Sequence, residues 1–239
     1  MKKVRIVTAT ARNQIEFSHG TLLGQSLALF PRQSDMEVTV FFNNVGQRRK
    51  GLGTIYNAFL KTEHAHEILL FIHDDVYVHD WHLAKRLNDA IEDFDVVGLA
   101  GNANPDFDEP SWALAWNRQK HPQGRQPREY FSGMVGHLIH GRTHISDYGL
   151  TPQACKLLDG LFLAVNTEKI LAAEVMFDPQ FDFHFYDLDF CRQCIGRGLR
   201  LGTWPIAVTH GSRGAYNSPE WKLKRDLYLN KWRQPDLNR

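Results

Sequence analysis

Apolar and polar positions alternate in blocks through the first hundred residues, and this pattern predicts strands and helices in turn. Apolar runs rich in β-branched residues predict four strands: Val4–Thr8, Glu37–Phe42, Ile68–Ile72 and Val96–Ala100. Longer segments with helical spacing lie between them: Phe17–Phe30 ending at Pro31, Thr54–Leu60 capped by Thr54, and Trp81–Phe94. Because apolar strands joined by helical crossovers are typical of a parallel sheet covered on both faces, this half predicts an α/β unit.

The pattern becomes irregular after residue 101. Asn102–Gln126 contains three prolines and two tryptophans without periodicity, which indicates a long functional loop. Strands, helices and one interrupted extended stretch are predicted beyond it: strands Gly133–His140 and Leu161–Val165, helices Thr167–Val175 and Asp187–Arg197, the extended Leu199–Thr209, and a last helix, Trp221–Trp232, that Ser218-Pro219-Glu220 would cap. We find no repeat or linker and expect a single domain over residues 1–239.

Composition narrows the class of protein. The 239 residues carry a formal charge of +1 and are 43% hydrophobic, as in ordinary globular proteins, and the near-neutral balance argues against a dedicated nucleic-acid binder. We see no apolar run of the ~20 residues that a membrane span needs and no signal-peptide core, so no transmembrane segment is expected. Three cysteines favour a reducing compartment, and hence a cytoplasmic location. The 12 histidines are the unusual feature.

A carboxylate pair follows the third predicted strand directly, in the sequence His73-Asp74-Asp75. Ligands of open parallel sheets bind outside the carboxyl ends of the strands, and two adjacent acids there favour a divalent cation such as Mg²⁺ or Mn²⁺. The alternative is that Asp74 and Asp75 only cap the next helix. We consider it weaker because Asp80 is available for that task.

A second acidic group, Asp187 and Asp189, falls in the first turn of a predicted helix among aromatic residues. Acids at a helix N-terminus are stabilised by the helix dipole, by about 0.3–1 kcal/mol. Aromatic neighbours also favour a partly desolvated carboxylate, which is what a general base requires. The residues alone leave both interpretations open.

Taken together in chain order, these segments resemble a known family. The segments that carry the resemblance are Phe71-Ile72-His73-Asp74-Asp75-Val76, Leu158-Asp159-Gly160-Leu161-Phe162-Leu163-Ala164, Phe177-Asp178, Tyr186-Asp187-Leu188-Asp189, Gly198-Leu199-Arg200-Leu201-Gly202 and Val208-Thr209-His210-Gly211-Ser212. The chain resembles family-2-type glycosyltransferases of the GT-A fold, in a bacterial glycosyltransferase-like branch. The resemblance implies a Rossmann-like, mostly parallel central sheet flanked by helices, with a smaller second β element. It also implies a nucleotide-sugar-binding half, 1–101, and an acceptor and catalytic half, 102–239.

The resemblance assigns roles to the acidic groups. Asp75 matches the last aspartate of the family's metal-binding Asp-x-Asp motif, while His73 stands where the first aspartate is usual. His210 matches a position where related enzymes place a further metal ligand, although a lone histidine after a strand is more often structural. Asp187 matches the catalytic base, next to Tyr186 in place of the family's glutamate.

Donor contacts follow from the same resemblance. They fall on the first strand and its loop, on the segment after the second strand, on a glycine-rich stretch leading to an asparagine, and around the site: Thr8, Ala9, Thr10, Asn43, Gly53, Asn57, Asp74 and Gly160. A UDP-sugar is the favoured donor, but the base is left open because Asn43-Asn44 replaces the aspartate that usually recognises uracil.

The implied function is metal-dependent, inverting glycosyl transfer to a glycan, lipid-linked or protein hydroxyl, as in polysaccharide biosynthesis. Two other classes stay open: a nucleotidyltransferase using the same metal site, and a non-catalytic nucleotide-sugar or glycan-binding module. Trp112, Trp116 and Tyr130 are candidates either for stacking on a sugar or for anchoring the loop. We expect Cys191 and Cys194 to be semi-buried packing residues, and the last helix to pack across the domain, with peripheral contact to the inner membrane as the alternative.

Overall fold

The computed structural model describes residues 1–30, 35–212 and 216–233, so Pro31 lies outside the described residues. Thirteen strands are present in this part of the chain: β1 Lys3–Ala9, β2 Met36–Phe41, β3 Glu67–Ile72, β4 Val76–Val78, β5 Val96–Gly98, β6 Ala100–Asn102, β7 Phe131–Ile139, β8 Arg142–Gly149, β9 Gln153–Cys155, β10 Leu157–Leu158, β11 Phe162–Asn166, β12 Leu201–Thr203 and β13 Val208–His210. The α-helices of the same ranges are α1 Gln14–Gly20, α2 Leu22–Leu27, α3 Leu52–Asn57, α4 Leu83–Asp93, α5 Thr167–Ala172, α6 Tyr186–Gly196 and α7 Pro219–Arg233.

The larger sheet has seven strands in the order β2-β1-β3-β11-β5-β12-β9. Strands β2, β1, β3, β5 and β12 run in one direction, and β11 and β9 run against them, which confirms the mostly parallel sheet. Every residue of β11 is buried, as its wholly apolar start predicts for a strand between two neighbours. Since β9, β11 and β12 come from the second half of the chain, residues 1–101 do not complete this sheet alone.

A smaller sheet, in the order β10-β6-β7-β13-β4 with β8 paired to β7, is the second β element. The predicted strand Val96–Ala100 is divided between the two sheets, because β5 pairs in the larger sheet and β6 in the smaller one. Gly101 permits this crossing, since a Cβ there would lie 2.4 Å from the Leu157 carbonyl oxygen.

Two helix starts differ from prediction. The helix predicted over residues 17–30 is broken at Thr21, whose N–H donates to the Phe17 carbonyl at the end of α1 and whose hydroxyl caps α2. Helix α3 begins at Leu52 after Gly51, so Thr54 lies inside the helix and is not its cap.

One of the two other helix starts agrees with the sequence. Asp80 Oδ1 accepts the N–H of His82, the N-cap residue of α4, at 3.0 Å, but no side chain caps α4, so neither Asp80 nor the preceding aspartates do so. At α7 the Ser218 hydroxyl accepts the Trp221 N–H, as predicted. Trp221 and Tyr228 of α7 are buried, so packing accounts for these aromatic residues. No helix in the described ranges is long and apolar enough to cross a membrane.

The loop 103–126 contains no strand or helix, as predicted. Two buried polar side chains organise it. The Gln126 amide accepts the Asp106 N–H at 2.6 Å and donates to the Ser111 carbonyl, and the Glu109 carboxylate accepts the N–H groups of Trp116 and Asn117. These hydrogen bonds hold the loop in one conformation, and its middle part reaches the cavity described next.

Candidate functional site

A cavity of about 710 Å³ opens at the carboxyl ends of β1 and β3, where both sheets meet. Five parts of the chain supply its chemistry: Ala9 at the end of β1, residues 72–75 after β3, residues 159–161 after β10, residues 183–188 at the start of α6, and His210 with Ser212 after β13. A pocket of this size and position, largely apolar with a few converging polar groups, is where open α/β sheets bind ligands.

The predicted metal residues meet on one side of this cavity. One ligand atom from each of His73, Asp75 and His210 lies within 4.8 Å of the other two. His210 Nε2 is 3.4 Å from Asp75 Oδ1, and His73 Nδ1 is 4.0 Å from the same oxygen. The pairing of β13 with β4 produces this arrangement, because it sets His210 opposite Val76, the residue after Asp75.

Tyr186 fixes the tautomer of His73. Its hydroxyl donates to the Gly160 carbonyl at 2.9 Å and lies 2.7 Å from His73 Nε2. Because the hydroxyl has one hydrogen and the carbonyl can only accept, His73 Nε2 must carry the proton and donate. Burial lowers the pKa of His73, which favours the neutral ring. The lone pair is therefore on Nδ1, the nitrogen that faces Asp75, where it is available to a cation.

The charges of this group fit a divalent cation. Burial raises the pKa of Asp75, but the favourable interaction with the nearby His210 ring outweighs it and lowers the pKa to about 2. Asp75 Oδ1 is buried and makes no hydrogen bond to any residue that the structure describes. An ionised, unsatisfied oxygen beside two imidazoles is a mixed O/N ligand set that suits Mn²⁺.

Asp187 lies in the same cavity, in the first turn of α6. Its Oδ2 accepts the Gly160 N–H at 2.9 Å. Residue 160 must be glycine, since a Cβ there would lie 2.5 Å from the Tyr186 hydroxyl and 2.8 Å from Asp187 Cβ. Burial, and then the charge of Asp159, raise the pKa of Asp187 to about 7. Such a carboxyl can take up a proton near neutral pH.

Asp159 and His137 also line the cavity, and neither residue was assigned a role from the sequence. Asp159 Oδ2 accepts the Trp112 indole N–H at 2.9 Å, so this carboxylate joins the loop 103–126 to the turn that holds Asp187. His137 on β7 is the register partner of His210, with ring centroids 5.9 Å apart. Asp159 was detectable as the neighbour of Gly160, and His137 as a polar position on the inward face of a strand.

The residues predicted to contact the donor divide into two groups. Ala9, Asp74 and Gly160 line the cavity. Thr8 on β1 and Thr10 just after it are buried next to the cavity, and Thr10 hydrogen-bonds Asp74, whose pKa is nevertheless raised by burial.

Asn43, Gly53 and Asn57 are placed differently. Asn43 is exposed just after β2, and its backbone N–H donates to the Arg12 carbonyl. Asn57 exchanges two hydrogen bonds with the backbone of Phe177, at 2.7 and 2.9 Å, and a Cβ at Gly53 would touch Phe177 Cβ at 3.0 Å. Because packing of α3 against the segment around Phe177 accounts for Gly53 and Asn57, we leave these two out of the donor site.

The other residues near α6 are structural. Asp189 is fully buried and accepts hydrogen bonds from the indole N–H of Trp232 and the ammonium of Lys231, so it anchors α7. Cys191 and Cys194 are free thiols and are completely buried, more than the semi-buried placement expected from the sequence. Burial raises the pKa of both thiols, which makes them inert packing groups.

Comparisons with known proteins agree with this architecture. No family model matches the chain, and no curated protein matches it. Among solved structures, A197 from STIV is similar with a TM-score of 0.51 at 10% identity, over 88% of this chain and 86% of that one. GalNAc-T7 in complex with UDP, GalNAc and Mn²⁺ is similar with a TM-score of 0.56 at 11% identity, over 89% of this chain but 44% of that one. The protein has a GT-A glycosyltransferase-like fold; membership of family 2 is not confirmed.

Proposed function

We propose that the protein is a metal-dependent, inverting glycosyltransferase that moves a sugar from a nucleotide-sugar donor to an acceptor hydroxyl. One observation carries the proposal: two chemical groups share one cavity of a GT-A fold. These are the cluster of His73, Asp75 and His210 and the carboxyl of Asp187, whose pKa is raised. The UDP and Mn²⁺ of the GalNAc-T7 complex support the class of donor and cation.

The residues on one side of the cavity would bind the cation, and Asp187 on the other side would act as the base. Asp75, His210 and His73 Nδ1 would hold a divalent cation, which when bound neutralises negative charge on the departing diphosphate. Asp187 accepts the acceptor hydroxyl's proton while that oxygen forms a bond to the anomeric carbon and the bond from this carbon to the diphosphate oxygen breaks. The Gly160 N–H holds the Asp187 carboxylate in place. A single displacement of this kind inverts the anomeric centre.

The metal side is tested by thermal unfolding with UDP and with GDP, each with and without Mn²⁺. A ligand that binds only the folded state raises the melting temperature. We expect Mn²⁺-dependent stabilisation of the wild type, its loss in Asp75→Asn, and its retention in the control Asp93→Asn, an exposed acid on α4. Equal, metal-independent shifts in wild type and Asp75→Asn would rule out the metal site.

The base is tested by nucleotide release from the UDP-sugar or GDP-sugar that stabilises the wild type best. Asp187→Asn should keep donor binding and lower turnover about 10²- to 10⁴-fold, the usual worth of a general base. Full turnover in this variant would remove Asp187 as the base and favour nucleotidyl transfer, which does not need it. We further propose that the donor is a UDP-sugar and that the acceptor hydroxyl belongs to a glycan, a lipid-linked molecule or a protein. The reaction would then be part of polysaccharide biosynthesis. The free, buried cysteines support a reducing, cytoplasmic location.

A further inference from the structure

A second cavity, of about 450 Å³, lies between the loop 103–126 and α7. Pro110 lines both this cavity and the one that contains Asp187, so the two are neighbours along one surface. The second cavity holds none of the proposed metal ligands or the base. A substrate that reaches both cavities would be longer than a single sugar.

A row of aromatic side chains joins the two cavities. Tyr216 and Trp221 line the first cavity, and Trp116 lines the second. The Trp116 and Trp221 rings lie 4.9 Å apart with 30° between their planes, and the Trp116 and Tyr216 rings lie 6.2 Å apart. Aromatic faces present apolar surface of fixed orientation, which suits the C–H faces of pyranose rings.

The second cavity is preorganised. The carboxylate of Glu109, only 2% exposed, accepts the backbone N–H of Trp116 at 2.6 Å and that of Asn117 at 3.0 Å. It thereby fixes the backbone of two of the loop residues that line the cavity. Binding to a surface that is already ordered costs less conformational entropy than binding to a mobile loop.

The polar lining of the second cavity carries charges of both signs, with no excess of positive charge. Arg225 and Arg233 line it together with Asp108, Glu109 and Asp226, and Arg225 is paired with Asp226 at 2.7 Å. Planar donors and acceptors beside an indole ring, without a positive excess, suit uncharged, hydroxyl-rich groups better than a phosphate or a polyanion.

We propose that the second cavity binds sugar units of an oligosaccharide acceptor, beyond the unit whose hydroxyl reacts near Asp187. This inference rests on the proposed function and names its acceptor as a neutral glycan. Trp116 stacks on one unit, and the arginine and aspartate side chains hydrogen-bond the hydroxyl groups of that unit and the next.

The test is binding of the full chain, without donor or Mn²⁺, to an array of neutral oligosaccharides that carries each glycan with its one- and two-unit fragments. We expect glycans of three or more units to bind at least tenfold more tightly than their fragments. Trp116→Ala and Arg233→Gln should each remove this advantage. Two exposed residues that line neither cavity provide matched controls, Trp81→Ala and Arg197→Gln, and should keep it.

Thermal unfolding with UDP and Mn²⁺ is measured on the same variants, and it separates this inference from the proposed function. Arg233→Gln changes an exposed side chain and should fold normally even if Trp116→Ala does not. No glycan bound by the wild type, equal binding of long glycans and fragments, or an undiminished advantage in Arg233→Gln would overturn the inference. Loss of the UDP and Mn²⁺ effect in wild type, with glycan binding intact, would count against the proposed donor site instead.

Discussion

Replacing Asp187 by asparagine should change how the stability of the protein depends on pH. The pKa of this carboxyl rises from an ordinary 3.8 to about 7 in the folded state. For an acid this shift means that folding favours the protonated form, so its contribution is fully favourable below pH 4 and is lost as the pH rises towards 7. The asparagine side chain does not titrate, and its amide oxygen can still accept the Gly160 N–H.

The size of the effect follows from the shift. About three pKa units correspond to about 4 kcal/mol as an upper limit. Asp187 is partly exposed to the cavity, and solvent screening reduces this figure. We therefore expect wild type to lose about 1–2 kcal/mol of unfolding free energy relative to Asp187→Asn between pH 5 and pH 8.

Urea unfolding at both pH values, followed by circular dichroism, measures this difference directly. Comparing the two proteins at each pH cancels the contribution of every other titrating group. Asp93→Asn, an exposed acid, should show no such difference. If wild type and Asp187→Asn lose the same stability between pH 5 and pH 8, the pKa is not raised and Asp187 is not poised as a base at neutral pH.

Two further substitutions test the supports of the site. Tyr186→Phe removes the hydroxyl that holds the His73 tautomer and should weaken Mn²⁺ binding about tenfold by calorimetry; an unchanged affinity contradicts that role. Gly51→Ala puts a Cβ 2.5 Å from Asp182 Cβ and should cost about 1–3 kcal/mol in urea unfolding, whereas Gly20→Ala, with no atom within 4 Å, should stay within about 1 kcal/mol of wild type. Equal effects of the two glycine substitutions would show that the contact at Asp182 relaxes freely.

The apolar strands were predictable because each carries its own burial signal. Strands β1, β2 and β3 begin and end within one residue of prediction. Strand β8 was missed because most of its residues are exposed, so its pairing with β7 has no hydrophobic pattern to reveal it. Strands β4, β9 and β10 have only two or three residues each, too few to show a period.

The site was predictable where one short segment carries both geometry and chemistry, as His73-Asp74-Asp75 does at the end of β3. Contacts between distant segments were not. The Trp112–Asp159 hydrogen bond joins residues 47 apart, and Tyr186 reaches His73 across 113. The spacing of residues within one segment does not show which distant residue a side chain will contact. Asn57 is a motif position whose side-chain hydrogen bonds go to the backbone of Phe177, 120 residues away, which its motif does not reveal.

The position of β11 between β3 and β5 has a consequence for how the chain folds. During synthesis β3 is complete at Ile72, but its antiparallel neighbour begins only at Phe162. The open edge of a strand that is apolar from Ile68 to Ile72 is thus exposed while the intervening residues emerge from the ribosome, and pairing across that separation is slow to nucleate. Aggregation during expression should therefore respond to chaperones and to temperature far more than the stability of the finished fold would suggest.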